Sequence, residues 1–194
     1  MEENEKAPVD LPLAYRLLYP RNVVLVSCID KSGKANIITL AWSMPVSIDP
    51  PMVAIGLTPR RYSYKLIRET GEFVVNIPTM DIVRETLFCG RRTGIEHDKF
   101  KEAPLTPLPA KMVGPPIIKE CVAHLECKLR REITIGDHTL LIGEVLTAHA
   151  NRRVFDERFD IKKLKPILHM GGDNFLTVTP EMVTPQLPED SKRS

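Results

Sequence analysis

Apolar residues in this chain come in short runs broken by turn-forming residues, and their spacing predicts the elements. Val23 to Ile29 is continuous, apolar and β-branched, the pattern of a buried strand. Asp30-Lys31-Ser32-Gly33 is a turn signal, and Ala35 to Leu40 returns as a second strand. Met52 to Leu57 is a third, after the Pro50-Pro51 break, and Glu72 to Ile77 a fourth, ended by Pro78. Further on, Cys121, Ala123, Leu125, Cys127 and Leu129 alternate with Val122, His124, Glu126, Lys128 and Arg130. That period of two predicts a strand with one wetter face and puts His124 on the surface. Gly136-Asp137 separates Ile133–Ile135 from a long strand over His138 to Ala148, as in a two-residue hairpin. Pro166 to Met170 is a last short strand.

Helical signals lie between these strands. Leu11 to Tyr19 predicts a short helix stopped by Pro20. Thr58 fits an N-cap, Pro59 the first helical position, and Gly71 the C-terminal cap of a second helix carrying Leu66 and Ile67. Thr79 fits the cap of a third, through Leu87 and Phe88, with Gly90 just beyond its end. Arg91 to Pro116 is charged, then proline-rich, and long for a connector, as a lid or a dimer arm would be. Arg152 to Lys165 is charged and compatible with a helix. About seven strands, mostly joined by short turns, predict a mainly β fold with helical inserts, an antiparallel barrel rather than a βαβ sheet.

Composition narrows the function. The 194 residues fit a single domain, with 43% hydrophobic and 27% charged residues. Residues 18–178 read as that domain, 1–17 as an N-terminal extension and 179–194 as a polar C-terminal tail. A net charge of +2 with mixed signs argues against nucleic acid as a partner. No apolar run approaches the roughly 20 residues that span a bilayer, and the acidic N-terminus holds no signal-peptide core. Cys28, Cys89, Cys121 and Cys127 form no C-x-x-C, so reduced, buried thiols in a cytoplasmic protein are expected. No residue set has metal-site spacing, no serine sits in G-x-S-x-G, and neither G-x-G-x-x-G nor a Walker loop is present.

Three constellations could carry chemistry. Thr58-Pro59-Arg60-Arg61-Tyr62-Ser63-Tyr64-Lys65 joins a helix start to cations and hydroxyls, which suits a phosphate and equally suits a solvated basic face. Thr39-Leu40-Ala41-Trp42-Ser43-Met44-Pro45 is a polar break beside the only Trp. It reads either as a backbone edge for a planar heterocycle or as a barrel corner with a core Trp. His138, at a hairpin mouth, could orient a nicotinamide or donate a proton, or could be structural.

Together the segments resemble the flavin reductase-like FMN-binding proteins, the split-barrel family that includes flavoredoxins and the reductase components of two-component monooxygenases. The matching pieces are Tyr19-Pro20-Arg21, Val23 to Val26, Asn36 to Ser43, Pro45 to Pro51, Arg61 to Tyr64, Gly71 to Pro78, Gly136-Asp137-His138 and Gly143-Glu144-Val145. The resemblance implies a six-stranded split β-barrel of Greek-key topology, a homodimer, and FMN near the subunit interface. It implies that Thr39, Leu40, Ala41, Trp42 and Ser43 border the flavin ring and ribityl chain. Thr58, Arg60, Arg61, Ser63, Tyr64 and Lys65 would hold the phosphate, Cys89 and Gly90 would line the site, and His138 would lie where nicotinamide stacks. The expected activity is an NADH- or NADPH-dependent flavin or ferric reductase. The alternatives are a flavoredoxin-like carrier with bound FMN, serving a redox protein partner, and a binding barrel without turnover.

Overall fold

The run over Val24–Ile29 forms β1, and the turn at Asp30 to Gly33 returns it as β2, Ala35–Leu40. In the computed structural model, which describes residues 6–185, these two strands are buried on both faces. That is why β1 is apolar at nearly every position instead of alternating. Ser43–Ser47 forms β3, Met52–Leu57 β4, Glu72–Ile77 β5, Ala123–Ile135 β6 and His138–Ala150 β7. All pair antiparallel in one sheet of order β2-β1-β5-β6-β7-β4-β3. The sheet has seven strands, one more than the resemblance implies, because the chain bends at Trp42 and comes back as β3 against β4. β6 and β7 are joined by the two-residue turn Gly136-Asp137, with Gly136 at φ 58°. A second sheet combines Arg21–Asn22 with β8, Leu168–Gly171, and β9, Asn174–Leu176.

Two cores share β1 and β2. Val24, Val26, Cys28, Ile38, Leu40, Ile55, Leu57, Phe73 and Leu141 fill the barrel, closed by Leu66 and Ile67 of α1, Tyr62–Thr70. On the outer face Leu25 and Ile37 pack against Cys89 of α2, Val83–Arg91, and against Phe100, Ala103 and Leu105. Phe100 belongs to α3, Lys99–Glu102. The Arg91 to Pro116 segment is therefore part of a core, not a free lid. Gly143 on β7 makes room for Phe73, since a Cβ there would lie 2.5 Å from the Phe73 Cζ.

Several local expectations change. Thr58 is not the cap of α1: its carbonyl accepts from the Arg61 amide at 3.0 Å in a preceding turn, and Arg61 takes the N-cap position. Gly71 does end that helix, at φ 72°. Thr79 opens a 3-10 turn over Met80–Ile82, and Gly90 lies inside α2. Leu11–Leu18 is a 3-10 helix, and Arg152 to Lys165 is turns with two short strand pieces rather than a helix.

The largest change concerns the wetter face of β6. His124 is buried and Glu126 has no exposed surface. The proline-rich segment covers them, and polar side chains hold its backbone. The Glu126 carboxylate accepts from the amides of Lys111 (3.0 Å) and Met112 (2.6 Å) and pairs with His149 Nε2 at 3.0 Å. Asn76 Oδ1 accepts from the Ile118 amide and from His124 Nδ1, and Ser27 Oγ donates to the Pro116 carbonyl. Burial pushes His124 down to about 4, so it is neutral. Burial alone would raise Glu126, but the Lys111 and Met112 amides and His149 outweigh it and hold it below the usual carboxylate value.

Glu126→Ala should cost roughly 2–4 kcal/mol in urea unfolding, because two part-buried amides lose their acceptor and a fully buried side chain is removed. A depressed carboxylate stabilises fully above its unfolded value of about 4.3, and the stabilisation is lost as pH falls through the lower folded value. The wild type should therefore lose more stability than the variant on acidification below pH about 4.

Candidate functional site

β2 leads directly into the site. After Leu40 the ladder with β1 stops, and Ala41-Trp42 form the break before β3. The Trp42 carbonyl accepts from the Gly56 amide at 2.8 Å, which pins the corner to β4. Gly56 also leaves space for the indole, as a Cβ there would lie 3.2 Å from Trp42 Cε3. Over this corner opens a recess of about 210 Å³ lined by Thr39, Leu40, Ala41, Trp42, Gly56, Thr58, Arg61, Gly90, His138, Tyr19 and His169. A second recess of about 200 Å³ shares Thr39, Ala41, Arg61, Gly90 and His169 with it and adds Thr86, Arg91 and Phe175. The two make one cleft with unlike ends.

One end is aromatic. The imidazole of His138 stacks on Trp42 with ring centroids 4.4 Å apart and an interplanar angle of 28°. His138 Nδ1 meets Asp137 Oδ1 at 2.8 Å, and that hydrogen bond holds the Asp137 carboxyl below its usual value. The Arg21 guanidinium lies 5.3 Å from the Trp42 ring and 5.0 Å from that of Tyr19. Burial raises the Tyr19 phenol. The other end is cationic, with Arg61 at the cap of α1 and Arg91 at the last turn of α2, where Arg91 pairs with Asp173.

The middle is narrow because α2 crosses close to β2. A Cβ on Gly90 would lie 3.2 Å from Thr39 Cβ, and Thr39 Oγ1 donates to the Thr86 carbonyl at 2.5 Å. Two buried polar atoms on this lining have no protein partner, His169 Nδ1 and Thr86 Oγ1. Buried polar groups are nearly always hydrogen-bonded, so a polar ligand is the natural complement.

Among the residues expected from the sequence, Thr39, Leu40, Ala41, Trp42, Thr58, Arg61, Gly90 and His138 meet on this cleft. The others do not line it. Ser43 lines a neighbouring groove below Trp42. Ser63 is buried and accepts from Asn36 Nδ2 at 2.8 Å. The Tyr64 hydroxyl points to Glu132 at 3.4 Å, Lys65 lies beside Glu69 at 3.8 Å on the exposed face of α1, and Arg60 is exposed. Arg61 is an extended N-cap, and Ser63 and Lys65 are turned about 200° apart on α1, so the segment cannot aim all these side chains into the cleft. Cys89 packs in the outer core, where burial pushes its thiol up to about 12. Tyr19, Gly56, Thr86, Arg91, His169 and Phe175 also line the cleft, beyond the residues the sequence marks. Tyr19 stood in a matching segment, but nothing local to the others marks them.

Known proteins are similar to this chain in sequence and in fold. An uncharacterized protein of Archaeoglobus fulgidus is 36% identical over 170 residues, covering 87% of this chain and 94% of its own. The flavoredoxin of Methanosarcina acetivorans superposes with a TM-score of 0.84 at 28% identity, covering 97% of this chain and 98% of its own. The flavoredoxin of Desulfovibrio vulgaris (Miyazaki F) gives 0.81 at 28% identity, with 97% and 100% covered. The family model described as the flavin reductase like domain matches residues 15–174, and the chain belongs to that family, with its split-barrel fold.

Proposed function

We propose that this cleft binds FMN and that the protein is a flavin-dependent oxidoreductase. The carrying observation is the single cleft with an aromatic corner at Trp42 and His138, a cationic end at Arg61 and Arg91, and unpartnered buried polar atoms between them. A molecule with a planar ring at one end and a phosphate at the other matches that polarity. Bound FMN would supply the hydride and electron chemistry; the protein binds, orients and tunes it. Arg61 and Arg91 would hold the phosphate through charge-assisted hydrogen bonds. The backbone of Thr39 to Trp42 would meet the ring edge, and Gly90, lacking a side chain, would lie beside the ribityl chain. His138, held by Asp137, would orient a nicotinamide over the ring, with NADH or NADPH as the proposed hydride donor. The exposed side chains of Leu11, Leu17, Leu18 and Ile48 support assembly as a homodimer.

A second reading is a flavoredoxin-like carrier that serves a redox protein and does not use NAD(P)H directly. The Trp42–His138 stack supports it, because the imidazole is engaged with the indole in this structure rather than free to meet a nicotinamide. Anaerobic mixing of the FMN-loaded protein with NADH or NADPH separates the readings. Rapid bleaching of the flavin supports the reductase, and bleaching only by dithionite supports the carrier.

Arg61→Ala should weaken FMN binding about 10- to 100-fold in a fluorescence titration, the range of one lost charge-assisted hydrogen bond. An unchanged dissociation constant would remove Arg61 from the phosphate site. His138→Ala should leave FMN affinity within about threefold but slow bleaching by NAD(P)H about tenfold or more, through lost positioning. Full-rate bleaching would sink that role. The same variant should raise the emission of Trp42, the protein's only tryptophan, by removing the stacked imidazole.

A further inference from the structure

Lys99 is only 4% exposed, an extreme position for a lysine. Its ammonium donates to the Ile37 carbonyl at 2.7 Å and to the Cys89 carbonyl at 2.8 Å. No carboxylate of the described residues pairs with it; Asp98 caps the Lys101 amide and Glu102 engages His97. Burying an unpaired ammonium is costly, and a methionine would fill similar space without that cost. The placement is informative. Ile37 precedes Ile38 and Thr39, and Cys89 precedes Gly90, all on the cleft lining. The two carbonyls thus belong to the two walls that meet where Gly90 touches Thr39, and the ammonium joins them from behind.

Building on the FMN reading, we propose that Lys99 is a positioning residue whose fixed positive charge clamps β2 to α2 and favours the reduced form of FMN in the cleft. Two-electron reduction leaves the flavin ring more negative at neutral pH. A cation held in the low-dielectric interior behind the wall acts on that charge with little screening. The groups facing the ammonium are Cys28 on β1, Cys89 on α2 and Arg61 ahead of α1. Burial lowers the Lys99 ammonium to about 8, and the nearby Arg61 guanidinium adds to that shift. Both thiols are themselves pushed up, Cys28 to about 11 and Cys89 to about 12, so neither neutralises Lys99 near pH 7. Lys99 therefore adds a cation behind the wall to the arginines in front of it.

The test measures affinities of oxidised and reduced FMN, and the midpoint potential, for wild type, Lys99→Met and Lys99→Arg. Lys99→Met should bind oxidised FMN about tenfold more weakly and reduced FMN about a further tenfold more weakly, which lowers the two-electron potential by about 30 mV. Lys99→Arg, which keeps the charge, should restore most of the potential. If wild type binds FMN and Lys99→Met leaves the ratio of the two affinities unchanged, the proposal is overturned and the FMN reading stands. If wild type takes up no FMN, both fall. Should Lys99→Met fail to fold, NMR of labelled lysine in the wild type decides. The Lys99 titration midpoint should rise by about one unit when reduced FMN replaces the empty cleft, and an unmoved midpoint overturns the proposal.

Discussion

β2 must serve three surroundings within six residues, and the site depends on how its polar atoms are satisfied. Ile38 and Leu40 face the barrel, Ile37 faces the helical layer, and Thr39 reaches the cleft. The strand pairs only with β1, so it is an edge, and an edge leaves backbone groups that need partners. The helical layer supplies some of them. Lys99 takes the Ile37 carbonyl, and Thr39 in turn donates to the Thr86 carbonyl. Both bonds tie β2 to the α2 region, and Gly90 allows the approach to be close. The cleft is what remains open where this covering ends.

The same logic continues along the outer face of the sheet, beside the helical layer. Ser27, Glu72, Asn76 and Glu126 aim polar atoms outward from β1, β5 and β6, and the segment 111–118 lies on them backbone first. A proline-rich segment makes few hydrogen bonds to itself, so its free amides and carbonyls are available for such anchoring. The long connector is thus built into the fold at both ends. Its first half carries α3 and Lys99 to the back of the cleft, and its second half is fixed by the polar face of the sheet.

The strands and the core of the site were legible where local pattern decides. Ala35–Leu40, Met52–Leu57 and Glu72–Ile77 have their predicted ends, and Gly136-Asp137 is the predicted turn. Thr39 to Trp42 and Arg61 are near one another in sequence, so the polar break and the helix start could be read together. The failures share one cause. His124 and Glu126 looked solvent-facing because the segment that covers them is remote in the chain. Thr58-Pro59 carried sound capping chemistry, but one extra turn moved the cap to Arg61 and aimed Ser63, Tyr64 and Lys65 elsewhere. His169 joins the cleft only because β8 pairs with Arg21–Asn22, a contact between the two ends of the domain.

That last contact bears on how the site is completed. Arg21 pairs in register with His169, and Tyr19 lies 5.4 Å from the His169 ring, so the N-terminal segment and β8 arrive together. Asp173, just after β8, holds Arg91 of α2. The cationic end of the cleft is therefore assembled from α1, α2 and the C-terminal sheet, while the aromatic end comes from the β2–β3 corner and the β6–β7 hairpin. A ligand spanning both ends would bridge these elements directly. Its binding should then stabilise the docking of the small sheet as well as fill the cleft, since binding to the assembled state alone shifts the folding equilibrium toward it.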